Sequence, residues 1–163
     1  MIKKSILLLI IILVAVVMIR FMTDHSVNII AVYVNIIAVY QNPYTAAVIV
    51  ENLPWRDRDK ITWWRNNEKR LIQRYSLKTD NPRGALDYFV YAFGEGYQPE
   101  GKTDRLCFEE IQSPARCIDK NLLMVVTQNR AGEQMFLIDK YRYQVMRDGE
   151  LQKQPLIEPG DIR

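Results

Sequence analysis

The stretch Val34-Asn35-Ile36-Ile37-Ala38-Val39-Tyr40-Gln41-Asn42-Pro43-Tyr44-Thr45-Ala46-Ala47-Val48-Ile49-Val50 reads as a β-hairpin. Val and Ile fill four of its first seven positions, which favours strand over helix. Gln41 to Tyr44 is turn chemistry, and Ala46 to Val50 returns as the second strand.

The first of these strands is preceded by a perfect copy of itself, since Val27-Asn28-Ile29-Ile30-Ala31-Val32-Tyr33 repeats as Val34 to Tyr40. Two copies cannot make a solenoid, and two heptads are short for a coiled coil. Fourteen residues containing two Asn also make a poor membrane span. Seven is odd, so in one continuous strand each residue of the second copy faces opposite to its twin. Both copies cannot present the same face to one core. One copy is therefore expected to be structural and the other a tolerated duplication. The expected organisation is a signal anchor at 1–22, a tether with the first copy at 23–33, and a domain at 34–163.

Upstream, Lys3 and Lys4 precede an unbroken apolar run from Ile6 to Ile19, closed by Arg20. Taken as helix, Ser5 to Met22 spans about 27 Å, one hydrocarbon thickness. No small-x-small cleavage site follows the run, and no Cys sits there to take a lipid. Residues 1–22 are thus expected to be a retained transmembrane helix, with Lys3 and Lys4 keeping the N-terminus in the cytoplasm. The remaining chain then lies across the membrane. Cys107 and Cys117, the only cysteines, match no zinc or CxxC spacing. In an oxidising compartment they pair, and Ser113-Pro114 between them turns readily. Two unrelated buried thiols are the alternative.

The 163-residue chain is 48% hydrophobic and 25% charged, ordinary for a globular protein. From residue 23 onward, 19 Lys and Arg balance 19 Asp and Glu. A neutral domain of this kind argues against nucleic acid as a partner.

Pro54-Trp55-Arg56-Asp57-Arg58-Asp59 introduces one helix, expected over Lys60 to Tyr75 with Asp59 as N-cap. Ile61, Trp64, Leu71, Ile72 and Tyr75 share its apolar face, Arg70 and Arg74 lie opposite, and Trp63 falls well off the stripe. Glu68 lies within the stripe, an awkward position. Asp80 to Gly84 is a turn and Leu86 to Phe93 a strand. Gly94 to Gly101 is a loop that lacks the Lys-Ser/Thr of a phosphate cradle. Thr103 to Asn121 holds the cysteine loop. A meander follows at Leu122 to Thr127, Gln134 to Ile138 and Tyr141 to Met146. After an Asp148-Gly149 turn, the chain returns from Leu151 as an edge strand kept short by Pro155 and Pro159. One amphipathic helix and about six strands predict an α+β domain with a small, mainly antiparallel sheet.

Chemistry-bearing residues are sparse. His25 is the sole histidine and sits in the tether, so a His-based triad or a His-rich metal site has little to draw on. No cofactor or metal is expected. Glu95, Asp104, Glu109 and Glu110 are loop-borne carboxylates available for glycan chemistry, though nothing fixes their separation. Residues 56–74 carry seven Arg and Lys against Asp57, Asp59 and Glu68, with Trp55, Trp63 and Trp64 interleaved. Such a face can rest on anionic headgroups, cup an acidic partner or stack on sugars, or it can be a solvated helix exterior with two core tryptophans. The candidate partner contacts are Trp63, Arg70, Arg74, Glu95 and Tyr97.

Trp63-Trp64, Phe93-Gly94-Glu95-Gly96-Tyr97, Asp104-Arg105-Leu106-Cys107-Phe108 and Cys117-Ile118-Asp119-Lys120-Asn121 together resemble a domain-of-unknown-function family described as "enterobacterial putative membrane proteins". The resemblance runs from the anchor to about Gly149, and its most specific part is the two cysteine words in this order. It implies an inner-membrane setting in an enteric bacterium, and with the N-terminus cytoplasmic the bulk of the chain is expected in the periplasm. It implies no activity, ligand or catalytic residue. This chain departs from the pattern in carrying the heptapeptide twice, which leaves the first copy without an assigned role.

The expected function is a non-enzymatic, membrane-tethered binding or protective module acting on an envelope protein. The alternatives are an envelope glycan enzyme using loop carboxylates and a structural subunit of a membrane complex.

Overall fold

The Asn42-Pro43 turn closes a hairpin of β1 (Asn35–Gln41) and β2 (Thr45–Glu51), with Asn35 opposite Glu51 and Gln41 opposite Ala46. The Asn42 side-chain oxygen accepts from the amides of Tyr44 and Thr45, at 2.9 and 2.8 Å, which fixes the register. The second heptapeptide copy is therefore β1. Ile37 is the extra residue of a bulge between Ile36 and Ala38, so the facing of the strand changes part-way along. The computed structural model describes Val14, residues 34–82, 84–146 and 148–156, and from Val34 on these belong to one compact unit. The expected anchor, tether and first copy lie outside them, Val14 apart. Among the described residues no helix is long and apolar enough to cross a membrane.

Helix α1 (Asp57–Tyr75) starts three residues before the expected Lys60, and its N-cap is Arg56, not Asp59. The amides of Asp59 and Lys60 both bond to the Arg56 carbonyl, so the first turn is already closed there. Asp57 and Asp59 fall inside that turn, where the helix dipole favours carboxylates without a side-chain cap. The helix ends at Ser76 in the left-handed region (φ 51°), and the Leu77 amide bonds to the Ile72 carbonyl.

After the helix, β3 (Asp87–Ala92) pairs parallel to β2, with Thr45 opposite Asp87 and Val50 opposite Ala92. A β-α-β crossover thus sits within a sheet whose other pairings are antiparallel. Next come β4 (Gln98–Pro99), β5 (Arg105–Cys107) and β6 (Ala115–Asp119), then β7 (Leu122–Gln128), β8 (Gln134–Ile138), β9 (Tyr141–Val145) and β10 (Leu151–Pro155). The main sheet has the order β1-β2-β3-β7-β8-β9-β10, and a second sheet has the order β4-β6-β5. The expected meander and its Asp148-Gly149 return are present. Residues 98–119, expected as loop, form the second sheet and raise the strand number above six.

Alternation along the strands makes two cores. On one face α1 lays Ile61, Trp64 and Leu71 against Val48, Val50, Val90, Met124, Val126, Phe136 and Ile138. Each such side chain, fully buried, contributes about 1.5–3 kcal/mol. Trp63, expected off the stripe, is only 5% exposed and belongs to this core, its ring edge-on to Trp64 with centroids 6.2 Å apart. A broad sheet covers a wider arc of the helix than the narrow stripe allowed, and a large indole at its edge still reaches it. Glu68 is accommodated by accepting from the Gln134 amide at 2.9 Å. On the opposite face Ile49, Phe108 and Ile118 form a smaller core beneath the second sheet.

Since the second copy supplies every residue of β1 but Gln41, deleting Val27 to Tyr33 regenerates the same join at Ser26-Val34. The deletion variant should match the parent in thermal unfolding midpoint and protease resistance. Misfolding or rapid clearance would show that both copies are built into the domain.

Candidate functional site

The second sheet is a flap fastened over β1, β2 and β3. Cys107 and Cys117 are directly opposed on β5 and β6 and form a disulfide. Arg105 ties all three flap strands, donating to the Asp119 carboxylate at 2.9 Å, to the Pro99 carbonyl at 2.9 Å and to the Gln98 side chain. Arg116 pairs with Glu100 at 3.3 Å, and Lys120 with Asp104. Of the four loop carboxylates, Asp104 is thus spent on an ion pair, and Glu95 is exposed in the turn before the flap.

Between flap and main sheet runs a cleft of about 600 Å³, lined by Tyr40, Phe89, Tyr91, Phe108, Glu109 and Glu110 among others. Tyr40 stacks on Phe108 with centroids 3.9 Å apart, and Tyr97 meets Phe108 edge-on at 6.5 Å. The Tyr40 and Tyr97 hydroxyls bond to each other at 2.8 Å. Burial, foremost, holds the Tyr40 hydroxyl far above the ordinary tyrosine range, helped by that bond and by the nearby Tyr97 and Glu110. Glu109 and Glu110 are exposed at the mouth.

Beyond the flap, no described residue covers the same face of the main sheet. Phe89, Val125 and Leu137 are cross-strand neighbours on β3, β7 and β8, with Met135 beside them. All four are half-buried, and none packs into either core. Arg142 and Gln154 continue the row onto β9 and β10, joined at 2.7 Å.

The five residues expected to contact a partner do not converge. Trp63 is core. Arg70 bonds to Asn67 at 3.0 Å and Arg74 lies over Tyr75, both exposed on α1 and so on the opposite side of the sheet from the cleft. Only Tyr97 borders the cleft, with Glu95 two residues away. The open apolar row escaped sequence reasoning because it is assembled from single residues of three strands. An alternating strand shows that a second face exists, and only the pairing shows whether that face is covered.

A family model described as "Enterobacterial putative membrane protein (DUF943)" matches residues 2–155. The chain belongs to this family. The match extends six residues past the Gly149 limit expected from the sequence and includes all of β10. No curated protein and no solved structure matches the chain.

Replacing Cys107 and Cys117 with Ala removes a constraint worth about 3 kcal/mol in the chain-entropy account. Because the two strands are already opposed, the loss should be local: amide exchange rises in β4–β6 and stays slow in β2, β3 and β7. Uniform acceleration across both sheets would show instead that the bond holds the whole domain.

Alkaline stability tests the cleft. A hydroxyl whose folded pKa is raised stabilises the fold fully below the unfolded value near 10, and that contribution is lost as pH climbs toward the folded value. Tyr88, pushed up to about 12 by burial and by Glu68, acts in the same window. Stability should therefore be level through neutral pH and fall above pH 10. The fall should be shallower in Tyr40→Phe, and equal slopes would show that Tyr40 ionises freely.

Proposed function

We propose that this chain is a membrane-tethered, non-enzymatic binding module of the periplasm, held by an N-terminal helix whose start is cytoplasmic. Its partner is an envelope protein, and a protective role against a periplasm-active toxin is one form of that task. The observation that carries the reading is the open row of Phe89, Val125 and Leu137, continuous through Phe89 with the aromatic cleft. Half-exposed apolar side chains on a rigid sheet, beside a stapled flap, suit a partner segment with apolar side chains. Glu109 and Glu110 at the cleft mouth favour Lys or Arg next to them on that segment.

Mild crosslinking of the full chain in cells, followed by pull-down, tests this. A stoichiometric protein should be captured by the parent, and lost with Leu137→Asp or with Glu109→Lys plus Glu110→Lys. The Arg70→Ala plus Arg74→Ala variant should retain it. Capture that survives the first two changes would place recognition elsewhere. Turnover of cell-wall glycan without a protein partner would replace the reading with the enzymatic one. A C-terminal fusion to a phosphatase that is active only outside the cytoplasm should be active, and an inactive fusion would overturn the topology.

A further inference from the structure

Trp55 is 82% exposed, an unusual state for the largest apolar side chain in a folded domain. Its two helical relatives, Trp63 and Trp64, are buried. Neither core uses the Trp55 ring, and Arg56 lies over it at 5.4 Å. In the adjoining turn Arg56 and Arg58 are exposed, whereas Asp57 is directed to the Tyr143 hydroxyl and lies 3.7 Å from Lys60. Half-buried Asp59 is the remaining acid of the turn. The surface here is an indole under the Arg56 guanidinium, with the exposed Arg58 three residues further along the chain.

Where this surface lies follows from strand pairing. Asn35 opens β1 and is opposite Glu51, which closes β2, and Trp55 follows Glu51 by four residues. Val34, the first residue of the domain, therefore stands at the end of the sheet that bears Trp55. Val34 and Leu53 both pack against the helix-side core, which fixes Val34 and the Trp55 segment to one body. The exposed Leu122 sits at the same end, opposite Tyr91 near the end of β3. Leu156, also exposed, bonds through its amide to the Lys140 carbonyl in the β8–β9 turn, again at that end. Acidic groups there include Glu51 and Asp139, so the end as a whole is mixed, and the cationic surplus is local to Trp55. Residues 23–33 reach at most about 40 Å even when fully extended.

We propose that the Trp55, Arg56 and Arg58 surface is a bilayer contact, the indole seated among headgroups and the two guanidinium groups on anionic phosphates. Indoles favour the membrane–water interface, and basic side chains beside them gain from anionic lipid. The contact limits how the domain turns on its tether. It rests on the reading of residues 1–22 as a retained anchor, and it adds a second point of attachment.

The full chain in phosphatidylethanolamine–phosphatidylglycerol vesicles provides the test, because no tryptophan precedes Trp55. Lipids brominated near the head of the acyl chain should quench part of the emission. Trp55→Phe should abolish that loss without altering the fold, and Arg56→Glu plus Arg58→Glu should weaken it. If the protein stays with the vesicles through an alkaline wash yet shows no quenching, the bilayer contact is wrong and the anchor stands. Quenching that ignores the charge reversal removes the headgroup assignment. Release of the chain by the wash overturns the anchor, and the contact with it.

Discussion

Val48 and Val50 on one side of β2, and Ile49 on the other, are at or near zero exposure, so this strand needs a cover on both faces. The helix supplies one cover and the flap the other. The parallel pairing of β2 with β3 forces a crossover between them, and that crossover is α1. The same pairing carries β3 out to β7, from which the antiparallel meander grows. Strand β2 is thus where the helix, the flap and the sheet order meet. Its sequence shows this as an unbroken apolar run, Ala46 to Val50, without the alternation of a strand that has one wet face.

The two covers are built differently. Helix α1 holds by area, through large side chains along its buried arc. The flap is short, with strands of two, three and five residues, and cannot bury comparable surface. It substitutes directional interactions: the disulfide, the three-way bonding of Arg105 and a stacked aromatic set under Phe108. A small sheet held this way keeps its shape without filling the space below it, and the cleft beside Tyr40 and Tyr91 is the consequence.

Local chemistry explains which features were legible beforehand. The Asn42-Pro43 hairpin, the Asp148-Gly149 turn, the meander and the pairing of Cys107 with Cys117 are written in adjacent residues or in a count of two. The flap strands were not legible, because segments as short as Gln98–Pro99 carry no periodicity and exist only through their partner β6. Trp63 was misplaced because a wheel treats the helix as if it met a narrow stripe. The helix start was misplaced because an Asp at the N-cap and an Asp in the first turn look alike in sequence, both being favoured near the positive end. The open row of Phe89, Val125 and Leu137 depended on knowing that β7, and not β4, lies beside β3.

The edges of the sheet bear on how a partner can approach. Among the described residues β1 and β10 are the outermost strands, and an outer row of backbone groups can recruit another chain. On β1 the bulge at Ile37 breaks the row. On β10, Pro155 withholds an amide, and Lys153 lies over the Tyr141 ring at 3.6 Å, placing a charge along the edge. Both edges are thereby blunted, while the interior row on β3, β7 and β8 keeps apolar side chains half-exposed. Strand addition is disfavoured and face recognition is not. That difference between edge and face is set by one extra residue, one proline and one lysine.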